Sequence, residues 1–134
     1  FPIIVGSPDN VESDISIITY GGSIHHVLES VDKIFYEFEM FPKIILLTEI
    51  YPIPFPVISS LVSNTKNILT VEEGNVEGGI GSEIIAGLIE LIGSRNKNYK
   101  RIGSANVPIP SSKKLEKNTL INSEMILSAL RNMI

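Results

Sequence analysis

Short β-branched runs alternate along this chain with longer segments whose apolar residues recur at helical spacing. Ile15 to Tyr20 (ISIITY) is apolar on both faces and stops at Gly21-Gly22, which predicts a buried strand. Ile24, Val27, Leu28, Val31, Ile34, Phe35 and Phe38 then fall on one helical face, predicting a helix capped by Ser23 and ended by Pro42. Lys43 to Thr48 is a second strand. The prolines at 52, 54 and 56 lack the N–H donors of a sheet interior, so that stretch is a rigid crossover leading into a helix from about Pro56 to Val62. Asn67 to Glu72 is a third strand, Gly74 to Gly79 a turn, Ile80 to about Ile92 a helix, and Tyr99 to Gly103 a fourth strand.

The last helix carries the clearest entry signal. Asn122 is a good N-cap, and Ile121 before it can staple onto Ile126. Its apolar positions, Met125 to Ile134, cover more than one face and predict burial on two sides. Residues 1–12 hold two prolines, a glycine and Asp9-Asn10, and read as an extended lead-in rather than a structured element. Strands alternating with helices predict an α/β fold: a three-layer domain, residues 13–134, with a mostly parallel central sheet flanked by helices.

Composition narrows the function classes. A chain of 134 residues fits one domain. With 43% hydrophobic and only 19% charged residues it is no disordered tail, and some apolar surface is expected to meet a partner. A net charge of −4 argues against nucleic acid, and the absence of cysteine removes disulfides and thiolate ligands. No apolar run approaches the ~20 residues of a membrane span, so a soluble intracellular domain is expected.

Candidate chemistry centres on Gly74-Asn75-Val76-Glu77-Gly78-Gly79-Ile80-Gly81, a glycine turn after a strand and before a helix. Its spacing matches neither a dinucleotide fingerprint nor a P-loop. Glu72, Glu73, Glu77 and Glu83 surround it, and such carboxylates answer the helix dipole themselves and repel a phosphate. Glu72 and Glu73 are neighbours on a strand and point to opposite faces, so they need not share a site. Gly81 and Gly87 permit close helix packing. His25 and His26 lie about 100° apart on a helix and make a poor metal pair. No catalytic or metal site stands out; Glu72, Glu73, Gly78, Gly79, Gly81, Gly87, Leu130 and Ile134 are the interface candidates.

Four stretches carry a resemblance: Ile17-Ile18-Thr19-Tyr20-Gly21 with His25; Val71-Glu72-Glu73-Gly74 with Gly78-Gly79-Ile80-Gly81-Ser82-Glu83-Ile84; Val107-Pro108-Ile109-Pro110 with Leu115-Glu116; and the closing helix. Together they resemble the C-terminal domain of the transketolase superfamily, most of all that of the beta chain of thiamine-diphosphate-dependent 2-oxo acid dehydrogenases of the pyruvate, branched-chain and acetoin type. The resemblance implies an oxidoreductase parent that decarboxylates a 2-oxo acid and passes the acyl group to a lipoyl arm. It implies that thiamine diphosphate and magnesium sit between other domains, and that this domain is inactive alone and builds subunit interfaces. The implied partners are a second beta chain or an alpha chain in a heterotetramer, with a pyrimidine-binding domain preceding residues 1–12 as linker. The implied location is the cytoplasm, or the mitochondrial matrix in a eukaryote.

Two departures from that family stand in the sequence. In several family members the final residue's carboxylate, matched by Ile134 if the native chain ends there, and an acidic residue before the last strand anchor the basic subunit-binding domain of an acyltransferase. The acidic position falls near Asn96, and Arg95 and Lys97 beside it make a basic partner unfavourable. A charged crossover motif is replaced by Leu46, Leu47, Thr48, Tyr51, Ile53 and Pro54, with Pro52 retained. Other readings are a ligand-sensing module using the Gly74–Gly81 turn, or the equivalent domain of a transketolase or 2-oxo acid:ferredoxin oxidoreductase.

Overall fold

A computed structural model describes residues 3–5, 13–104 and 120–134. Its elements are β1 (Ile3–Val5), β2 (Ile15–Tyr20), α1 (Ile24–Phe38), β3 (Lys43–Leu47), α2 (Phe55–Val62), β4 (Asn67–Asn75), α3 (Ile80–Ile92), β5 (Asn98–Ser104) and α4 (Ser123–Met133). The Val107–Pro110 and Leu115-Glu116 segments lie outside the described residues.

The sheet runs β1-β3-β2-β4-β5, parallel throughout except for β1, which pairs antiparallel with β3. This is the expected α/β sandwich of a mostly parallel sheet between helical layers. The central strands owe their double-sided apolar sequence to cover on both faces. Ile15, Ile17, Ile44, Leu69 and Val71 pack under α1 and α4. Ile18, Ile45, Leu47 and Ile68 pack under α2 and α3.

Four details depart from the sequence reading. The lead-in is structured at Ile3–Val5, where three β-branched residues cover the outer hydrogen-bonding edge of β3. Strand β4 continues three residues past Glu72, with an irregular register against β5 between Val71 and Asn75. Ser23 sits at the N-cap of α1 without bonding forward; its hydroxyl donates 2.7 Å back to Tyr20 O across the Gly21–Ser23 turn. Helix α4 is buried on one wide arc, formed by Ile126, Leu127, Ala129 and Leu130, rather than on two sides, and Ile134 is exposed.

The carbonyls that end α2 have no helical partners, and two lysines supply them. Lys43 Nζ donates to Leu61 O at 2.9 Å, and Lys97 Nζ donates to Val62, Ser63 and Thr65 O at 3.1, 2.8 and 2.8 Å. Burial holds the Lys97 ammonium below the usual lysine range. Lys97, which looks like a surface charge in the sequence, is a tether between β5's entry and α2.

Asn122 caps α4 as expected: its Oδ1 accepts from Met125 N at 3.0 Å, while Ile121 and Ile126 meet in the core. In urea denaturation, Asn122→Ala is expected to lower stability by about 1 kcal/mol. Leu130→Ala, at a fully buried position, is expected to cost about 2–5 kcal/mol. A loss of only a few tenths for Leu130→Ala would mean that α4 is not docked.

Candidate functional site

The chain leaves β2 for β3 on one side and later crosses to β4 on the other. The carboxyl ends of β2 and β4 therefore flank the switch point where open α/β sheets hold their ligands. Tyr20 ends β2 there, and Glu72 and Glu73 lie on β4 beside it.

Strand alternation sends the two carboxylates to opposite faces. Glu72 turns toward α3 and is 2% exposed. Its Oε2 accepts from Gly81 N in the first turn of α3 at 2.6 Å, and its Oε1 accepts from Tyr20 Oη at 3.4 Å. A carboxylate from the preceding strand thus answers one of the first-turn amides, that of Gly81, and the positive end of the helix. Glu73 turns the other way, is exposed, and its carboxylate fills the space beside Gly22.

The glycines make room for this carboxylate. A Cβ at Gly81 would stand 2.6 Å from both Glu72 Oε2 and Thr70 Oγ1. A Cβ at Gly79 would overlap the Glu72 carboxyl group and Asn75 O. Thr70 Oγ1, buried beside them, has no hydrogen-bond partner among the described residues.

Arg101 closes the turn from β5, with its Nη1 bonded to Val76 O and at 3.0 Å from Ser82 Oγ. Ser104 Oγ donates to Glu73 O. No signal in the sequence pairs Arg101 or Ser104 with the glycine turn; that depends on β5 lying next to β4.

The remaining candidates separate by depth. Gly87 lies beneath the Phe55 ring, where a Cβ would overlap it, so it serves the α2–α3 contact. Leu130 is in the core. Glu73, Gly78 and Ile134 are exposed. His25 is exposed and His26 Nδ1 lies 4.0 Å from Glu29. Among the described residues no cluster of three His, Asp or Glu side chains is placed to hold a metal, and no helix is long and apolar enough to cross a membrane.

Burial, then the negative charge and hydrogen bond of Glu72, hold the Tyr20 phenol above its ordinary value of 10.0, with Glu73 and Tyr51 adding to the shift. Because the folded value is the higher one, the associated stability is fully present below pH 10.0 and is lost as pH rises through the folded value. The native protein is expected to lose stability more steeply in that alkaline range than Tyr20→Phe, as read by thermal melts against pH. Equal slopes would count against the Tyr20–Glu72 contact. In the same assay at neutral pH, Gly81→Ala is expected to cost about 1–3 kcal/mol through overpacking.

Comparison with known proteins places these features in a family. The family model for "Transketolase, C-terminal domain" matches residues 7–126. The chain is 36% identical over 124 residues to a pyruvate dehydrogenase E1 component subunit beta from Cyanidium caldarium, covering 91% of this chain and 37% of the relative. It thus spans under two-fifths of that relative's length. Among solved structures, a split gene transketolase described as an inactive beta4 tetramer superposes with a TM-score of 0.74 at 17% identity, over 99% of this chain and 42% of that one. A 2-oxoglutarate:ferredoxin oxidoreductase from Magnetococcus marinus superposes with a TM-score of 0.63 at 18% identity, over 98% of this chain and 19% of that one. Both share the fold.

Proposed function

From its membership of the transketolase C-terminal domain family, we propose that the chain is the assembly domain of a 2-oxo acid dehydrogenase beta chain and performs no chemistry by itself. One observation carries the reading. The switch-point crevice, where a ligand of this fold class would sit, is filled by the protein's own groups: Glu72 holds the Gly81 amide of α3 and Tyr20, and Arg101 holds the turn. A diphosphate would have to displace a buried carboxylate of its own sign. The residues present do not fit thiamine diphosphate with magnesium, so the cofactor and its decarboxylation chemistry belong elsewhere in the parent enzyme.

That filled crevice also weighs against the ligand-sensing alternative. The Gly81 amide is already taken by Glu72, and the carboxylates around the turn repel acidic metabolites.

Assembly needs apolar surface, and the outer helix faces carry it. Leu91 is 58% exposed on α3, and Ile89 on α3 and Val57 on α2 are also exposed. On the opposite layer, Leu28 and Phe35 are exposed on α1, and Phe35 stacks on Phe41 at 4.4 Å between ring centroids. A second beta chain or an alpha chain is the proposed occupant, with the exposed Glu73, Gly78 and Ile134 as further proposed contact residues. A pyrimidine-binding domain is the proposed neighbour within the subunit, with Ile3–Val5 counted in the present sheet rather than in a linker, and the cytoplasm or mitochondrial matrix is the proposed location.

Sedimentation velocity over a range of concentrations, with and without the remainder of the subunit, tests this. Association is expected, and Leu91→Asp is expected to weaken it without lowering the thermal midpoint. A clean monomer that ignores the rest of the subunit would overturn the assembly reading. A heat of binding for thiamine diphosphate and magnesium on this chain alone would overturn the cofactor assignment.

A further inference from the structure

The amino edge of the sheet, opposite the filled crevice, has the reverse charge. A hollow of about 410 Å³ opens between the end of α2 and the entry to β5, lined by Lys66, Arg95 and Lys97 together with Asn64 and Asn96. A second hollow of about 140 Å³, beside Lys43, shares Ser63, Asn64 and Thr65 with the first. The two form one polar trough. No carboxylate lines either part.

A helix C-terminus would ordinarily make such a trough negative. Here Lys43 and Lys97 already neutralise the α2 carbonyls. Lys66 and Arg95 are left over, both exposed, and neither side chain is bonded or ion-paired among the described residues. The side-chain amides of Asn64 and Asn96 are likewise unengaged there, and Asn96 is held in the left-handed backbone region at φ 59°.

We propose that this trough docks an extended acidic peptide segment of a partner protein. The unengaged cations supply charge complementarity, and the amides can bond a peptide backbone. Two adjoining hollows that share Ser63, Asn64 and Thr65 favour a chain over a compact anion, which would need buried donors converging on a point. The proposal goes beyond the assembly reading and does not depend on it.

The test is fluorescence anisotropy of a labelled octaglutamate peptide against the full protein that carries this domain, with octalysine as the opposite-charge control. Saturable binding of octaglutamate, weakened by salt, is expected. Lys66→Glu combined with Arg95→Glu is expected to weaken it about tenfold. Lys100→Glu, an exposed charge reversal on β5, is expected to change it by less than about twofold. Unchanged thermal midpoints would show that all variants are folded. The proposal is overturned by absent octaglutamate binding, by tighter octalysine binding, by equal losses in the two variants, or by full displacement with equimolar inorganic phosphate, which would mark a small-anion site instead.

Discussion

The Glu72 carboxylate, buried between β4 and the first turn of α3, is the interaction on which the rest of this edge is built. An ionised side chain taken from water needs several partners, and this one has the Gly81 amide, the Tyr20 phenol and the dipole of a helix. Each partner constrains a different element: Gly81 fixes where α3 begins, Tyr20 ties β2 to β4, and Gly79 must lack a side chain for the loop to pass the carboxyl group. The glycine turn is therefore shaped around an internal anion rather than an external one.

A segment with the layout of a phosphate loop is here occupied by the chain's own carboxylate. Strand, glycine turn and helix N-terminus are all present, and the helix does receive a negative charge. The charge comes from within the chain, which converts a recognition device into a joint between strand and helix. The exposed apolar residues of the domain lie away from this joint, on the outer faces of α1, α2 and α3.

Most of the architecture was legible because its signals are local. The double-sided apolar strands report burial under two layers, and Asn122 with Ile121 reports a helix start; both depend only on neighbouring residues. The opposed directions of Glu72 and Glu73 follow from strand alternation in the same way. What was illegible depends on residues far apart in sequence. Lys97 resembles a solvent-facing charge until β5 sets it beside α2, and Gly87 resembles an interface residue until Phe55 is laid over it. Leu130 reads as an interface residue in the sequence because apolar residues on a helix do not declare whether they face their own chain or another; it lies in the core. The strand at Ile3–Val5 was hidden by the prolines and glycine around it.

That short strand changes what counts as the domain. Strand β3 would be the outermost parallel strand, and its free amides and carbonyls are paired by Ile3–Val5 from the segment ahead of the nominal boundary. A fragment cut at Ser13 would keep both hydrophobic layers and lose that cover, offering neighbouring molecules a row of bonding groups to extend. Its self-association would then arise from exposed backbone rather than from the helix faces, so the boundary chosen for expression decides which kind of oligomer is seen.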